Sequence, residues 1–126
     1  VIDGPKSAVI YCTNTSDGTG ESAVTKVDVS ALSALQDGTA CTGVRIEKIT
    51  FTNVGMGVKL LWDASTDVIA AELPADYSDT LDYSGISGLP NVAASGGKTG
   101  DIQLTTVGHG SGDTYSIVLY CLKEYA

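Results

Sequence analysis

Gly108-His109-Gly110-Ser111-Gly112-Asp113 sets a histidine, a serine and a carboxylate in one short stretch, the side-chain types of a hydrolytic triad. A triad works only when the nucleophile is fixed at a sharp turn and separate elements hold the base and its orienting acid. Glycine-dominated neighbours cannot hold that geometry, so the stretch reads as a hairpin-like loop between two core strands, with His109 solvated. Gly96-Gly97-Lys98-Thr99-Gly100 looks like the end of a phosphate-binding loop. That pattern needs a glycine where Val92 stands and a helix where Asp101-Ile102-Gln103-Leu104 alternates like a strand, so it reads as a turn entering a strand. Residues 76–83 carry three carboxylates and two tyrosines. Asp79 and Asp82 offer oxygens to calcium, but the ligand spacing and central glycine of a calcium hand are missing. The stretch reads better as a solvated strand or long loop, with Tyr77 and Tyr83 as amphipathic anchors for a partner. Sugar stacking is the other use of such rings; Trp62, flanked by strand residues, reads as core. Asn14-Thr15-Ser16 matches a glycosylation sequon, which has meaning only in a eukaryotic secreted protein.

Cys12, Cys41 and Cys121 are an odd number at wide spacing, unlike a secreted disulfide framework. Cys12 and Cys121 lie in apolar runs, where a reduced cysteine behaves as a small buried hydrophobe. A Cys12–Cys121 bridge is one alternative. A zinc site of the three cysteines with His109 is another, without the close ligand pairing zinc sites prefer. The 126 residues include seven basic and fifteen acidic side chains, a net charge of −8, and one histidine. That balance argues against a nucleic-acid partner, since phosphate binding needs clustered Lys and Arg. It also leaves little material for acid–base chemistry, so neither an enzyme nor a bound cofactor is expected. No run approaches the ~18 apolar residues of a membrane span, and no membrane partner is expected. Val1-Ile2-Asp3-Gly4-Pro5 shows neither the basic start nor the apolar stretch of a secretory signal.

The elements that must position these residues are short strands. Val, Ile, Leu and Phe make up about a quarter of the chain, above the roughly one-fifth below which disorder is the better reading. Residues 6–12 form an apolar run ended by the turn-rich 13–20. Residues 24–29 alternate, as do 44–52 apart from one step at Glu47-Lys48 that predicts a bulge. Gly55-Met56-Gly57 reads as a turn returning residues 58–62 as the hairpin partner of 44–52. Residues 68–73 form a strand stopped by Pro74, and 101–105 alternate. Residues 115–122 are apolar on both faces from Ile117 onward, which predicts a central position in a sheet. Turn residues recur at Ser16-Asp17-Gly18, Gln36-Asp37-Gly38, Ser84-Gly85 and Ser95-Gly96-Gly97. Many short strands at such spacing predict an all-β chain, an antiparallel β-sandwich or jelly-roll-like barrel in a single domain spanning 1–126. Residues 29–35 allow at most one short helical turn, with Ser30 as its cap.

Read in order, certain blocks also resemble a known family. They are the Asp3-Gly4-Pro5 opening, Leu60-Leu61-Trp62-Asp63-Ala64, and Gly97-Lys98-Thr99-Gly100-Asp101-Ile102-Gln103-Leu104. The chain resembles small structural proteins of tailed-bacteriophage heads, of the capsid decoration or cement type. The likeness covers most of the chain and carries no catalytic signature, so it transfers no functional residue. It implies a non-enzymatic virion protein on the capsid exterior, assembled in the host cytoplasm, with the major capsid protein as partner and a homotrimer as its own assembly. The expected action is to bridge adjacent capsomers and so stabilise the shell. Residues 1–5 then read as a contact arm, with Val1, Ile2 and Pro5 joining Tyr77 and Tyr83 as partner contacts. The alternatives are another virion part, a head fibre base or tail component, and a carbohydrate-binding β-sandwich module.

Overall fold

Alternation of apolar and polar residues along most of the chain becomes pairing between strands that are mostly distant in sequence. The computed structural model describes residues 2–35, 37–86, 88–92 and 99–125, with Ile2 given by its backbone alone. Val1 and the Ser95-Gly96-Gly97 turn, including most of the phosphate-loop look-alike, lie outside the described residues. Among the described residues the strands are β1 (Ile2–Asp3), β2 (Ser7–Thr15), β3 (Val24–Val27), β4 (Cys41–Val54), β5 (Gly57–Trp62), β6 (Val68–Leu73), β7 (Tyr77–Asp82), β8 (Ile102–Val107) and β9 (Thr114–Tyr125). They form one sheet of order β1-β2-β9-β4-β7 and a second of order β3-β8-β5-β6. All pairings are antiparallel. Set aside the two-residue edge strand β1, and this is the connectivity of a jelly roll, two four-stranded sheets facing each other. The all-β sandwich expected from the sequence is the fold.

Inward positions of both sheets fill one core. From β9 come Tyr115, Ile117, Leu119 and Cys121, and from β5 come Val58, Leu60 and Trp62, all buried. β9 lies in the middle of its sheet, as its apolar run predicts. The expected bulge is present, since the β4–β9 register slips between Ile46 and Lys48. β6 ends at Leu73, where Pro74 withholds the next backbone donor.

Two connections differ from expectation. β5 does not pair with β4; it lies between β8 and β6 in the other sheet. Gly55 adopts φ of +82°, where a Cβ would run into the Asp113 carboxylate, and buried Met56 carries the chain across the core. The loop 108–113 likewise crosses between sheets, because β8 and β9 are not partners. It is not a hairpin. The helical segment shrinks to a 3₁₀ turn, Val29–Ala31, capped by Asp28 rather than Ser30: the Asp28 carboxylate accepts the Ser30 amide at 3.0 Å. A second 3₁₀ turn, Ser84–Ile86, follows β7. Where one such turn at most was expected, there are two.

The three cysteines are free and buried. Cys12 stands opposite Ile117 and Cys121 opposite Ala8, so the two are offset by four residues. That is about 13 Å along the strands, beyond the ~7 Å a disulfide spans between Cα atoms. Burial pushes the Cys121 thiol up to about 12, so it stays protonated and unreactive.

Candidate functional site

The residues with catalytic chemistry do not converge. Asp113 Oδ2 accepts the Gly110 amide at 2.7 Å, closing its own loop. His109 turns the other way, packing over Gly20 with Nδ1 3.3 Å from the Thr106 hydroxyl. Exposed as expected, His109 is nonetheless seated, and it forms no triad with Ser111 and Asp113. Asp79 lies opposite Phe51 and Asp82 opposite Lys48, on alternate faces of β7. Each caps its own neighbourhood: Asp79 accepts the Thr80 amide at 2.7 Å and Asp82 the Ser84 amide at 2.9 Å. Among the described residues no group of three or more His, Cys, Asp or Glu side chains could hold a metal ion. Of the sequon, Asn14 donates to Glu21 at 3.3 Å and Ser16 is buried.

One polar cluster has no counterpart in the sequence patterns, because its members come from residues 14, 21, 26 and 115. Glu21 accepts the Tyr115 phenol and Asn14, and its other oxygen lies 2.6 Å from Lys26 Nζ. Burial alone would raise the Glu21 carboxyl, but Lys26 and the Tyr115 phenol outweigh it and hold the group below its usual range. Tyr115 is raised, first by burial and then by the Glu21 charge. A proton donor or acceptor for catalysis needs a pKa near working pH. Here the carboxylate is kept charged and the phenol kept neutral, so the cluster is a strut joining β2, β3 and β9. Tyr115→Phe is expected to cost about 1.5–2 kcal/mol at neutral pH, the value of a hydrogen bond to a charged group. Because the Glu21 pKa is depressed, this contribution is full above its ordinary 4.5 and fades as pH falls through the folded value. Urea titrations of both proteins at pH 7 and pH 3 should show the gap narrowing in acid.

The predicted partner contacts fall on separate surfaces. Ile2 pairs with Val9, so this stretch folds onto its own sheet, and the Pro5 carbonyl accepts the Tyr125 hydroxyl at 2.7 Å. Tyr83 is half-buried against the core, its amide donating to the Glu47 carbonyl at 2.7 Å. Tyr77 opens β7 and is 52% exposed, its ring 6.2 Å from that of Phe51. β1 and β7 are the two edges of the five-stranded sheet, four strand spacings apart, or about 19 Å. Tyr77 does gain neighbours that sequence reasoning missed. Pro74, Ala75 and Val107 line a cleft of about 380 Å³ together with Lys59 and Glu72, and a separate pocket is lined by Val54, Asp76 and Tyr77. Val54 and Val107, at the ends of β4 and β8, are 52% and 46% exposed, so this end of the sandwich shows apolar side chains to solvent.

Compared with known proteins, the chain matches no protein-family model and no curated protein. The class that the fold defines is a jelly-roll sandwich, without a metal-binding cluster among its described residues.

Proposed function

We propose that the chain is a non-enzymatic structural protein of a tailed-phage head, a capsid decoration or cement protein that binds the outer shell. The resemblance described above motivates the reading, and the observation that carries it is the apolar end around Val54, Tyr77 and Val107. Exposed apolar groups beside two pockets at one end of the sandwich, on a chain of charge −8, suit a protein partner better than a solvated end. The fold adds an analogy only, since jelly rolls serve in viral capsid and lectin domains alike. The acidic surface keeps many copies soluble and away from packaged DNA.

In mechanism, each copy attached across neighbouring capsomers adds contacts that must break before the shell opens, and a homotrimer would multiply them. The test adds purified protein to shells lacking it. Saturable binding to expanded but not precursor shells is expected, with rupture at a higher temperature. Val107→Asp should abolish binding while leaving the protein's own melting temperature within about 2 °C, as for other surface substitutions. Equal rupture temperatures with and without the protein would refute the cement role. A handful of copies per particle would instead favour a head fibre base or tail component.

A further inference from the structure

We propose that the outer face of the five-stranded sheet binds a neutral polysaccharide. Register sets Thr13, Ser116, Thr52 and Ser78 in one row across β2, β9, β4 and β7. The next row is Tyr11, Val118, Thr50 and Thr80. No charged side chain stands in either row. Charge begins one row further on, where Lys48 faces Asp82 and its ammonium lies 5.0 Å from the Tyr120 ring. On a chain of charge −8, a broad uncharged field is the exception, and it matches a ligand without charge.

The chemistry of the field selects among neutral ligands. Its hydroxyls are ordered by one another, Thr52 to Ser78 at 2.9 Å and Thr50 to Thr80 at 3.3 Å. Each such hydroxyl keeps acceptor capacity for a further partner. Tyr11 is 58% exposed, and its phenol meets the Ser116 hydroxyl on the next strand at 2.9 Å. That bond draws the ring across the sheet instead of letting it stand off. A ring lying beside rows of hydroxyls offers a stacking surface for the C–H face of a pyranose and partners for its hydroxyl edge. Protein partners use such surfaces poorly, because Ser and Thr are scarce among the residues that carry binding energy. The row spans three strand spacings, about 14 Å, long enough for several sugar units. This proposal does not rest on the shell reading: its ring is Tyr11, at the far side of the sheet from Tyr77, although Thr52 and Ser78 also border the pocket beside Tyr77.

Affinity electrophoresis through gels containing dextran, galactomannan or hydroxyethyl cellulose, with alginate and hyaluronan as acidic counterparts, tests it. Retardation is expected in at least one neutral polymer and in neither acidic one. Tyr11→Ala should weaken it about tenfold, the effect of one stacked ring. Thr52→Val, which removes a hydroxyl at constant shape, should weaken it as well. Ile69→Ala, on the opposite sheet, should leave it unchanged. Far-ultraviolet spectra and melting temperatures confirm that each variant folds. The proposal is overturned by passage through all three neutral gels without retardation, by retardation that survives Tyr11→Ala, or by equal retardation in the acidic gels. It is also overturned if Tyr11→Ala alters only the sedimentation of the protein, which would make the face an interface between copies.

Discussion

Trp62→Ala is expected to remove about 4 kcal/mol of folding stability, the largest single-site loss argued for this chain. Trp62 closes β5 with 1% of its surface exposed, paired with Ile102 on one side and Val68 on the other. It is the largest side chain in the core, and around it the two sheets have little freedom to collapse. Against the 5–15 kcal/mol typical of whole domains, such a loss lowers the melting temperature by roughly 15 °C. Trp62→Phe retains a ring and should recover more than half of it. Urea denaturation of the three proteins, followed by far-ultraviolet circular dichroism, gives the comparison. A loss below about 1 kcal/mol for Trp62→Ala would mean the residue is not buried as described. It would return Trp62 to the list of rings available for a ligand.

The Trp62 assignment was legible because it depends on local pattern alone. The same is true of the β6 end at Pro74 and the β4 bulge beside Glu47: alternation and a missing donor act over a few residues. Pairing is different. In this jelly roll only β1 with β2 and β5 with β6 are consecutive strands that pair, so most neighbours in sequence cross the core instead. Period-two alternation says which face a residue takes, never which strand lies beside it. The hairpin expected at Gly55 therefore failed although both its strands are real. The surfaces were hidden for related reasons. Thr13 and Thr15 read as turn residues, yet they extend β2, and Thr13 helps build the hydroxyl field. Val54 and Val107 lie beyond the alternating runs read as strands, and the ends of β4 and β8 leave them exposed. Of the predicted contacts among the described residues, Tyr77 alone lies beside Val54 at this end. The Glu21 strut joins the neighbouring residues 14, 21 and 26 to the distant Tyr115, which no spacing rule connects.

Asp3→Ala is expected to cost about 2–3 kcal/mol, and Lys123→Met less than 1 kcal/mol, although both break the same ion pair. The Lys123 side chain is fully buried, paired with Asp3 and donating to the Ser33 carbonyl at 3.2 Å. Asp3 is about one-fifth exposed and also accepts the Ser33 amide at 2.7 Å and hydroxyl at 2.8 Å. Removing Asp3 leaves an ammonium buried with one neutral acceptor, the costly outcome for such pairs; its partial exposure moderates the full penalty. Removing the ammonium leaves a carboxylate with water and two other donors, while methionine fills the space. The double variant should therefore resemble Lys123→Met, giving a coupling of roughly 2 kcal/mol in a double-mutant cycle. The pair's pH dependence has a definite sign. The Lys123 ammonium, then the Ser33 donors, hold the Asp3 carboxyl below its ordinary 3.8. A depressed carboxylate stabilises fully above that value and loses its contribution as pH falls through the folded one. The gap between wild type and Asp3→Ala should hold from pH 7 to pH 5 and shrink below pH 3.8. If Asp3→Ala proves no worse than Lys123→Met, the buried charge is not what Asp3 compensates. β1 would then be held to the sheet by its backbone pairing with β2 alone.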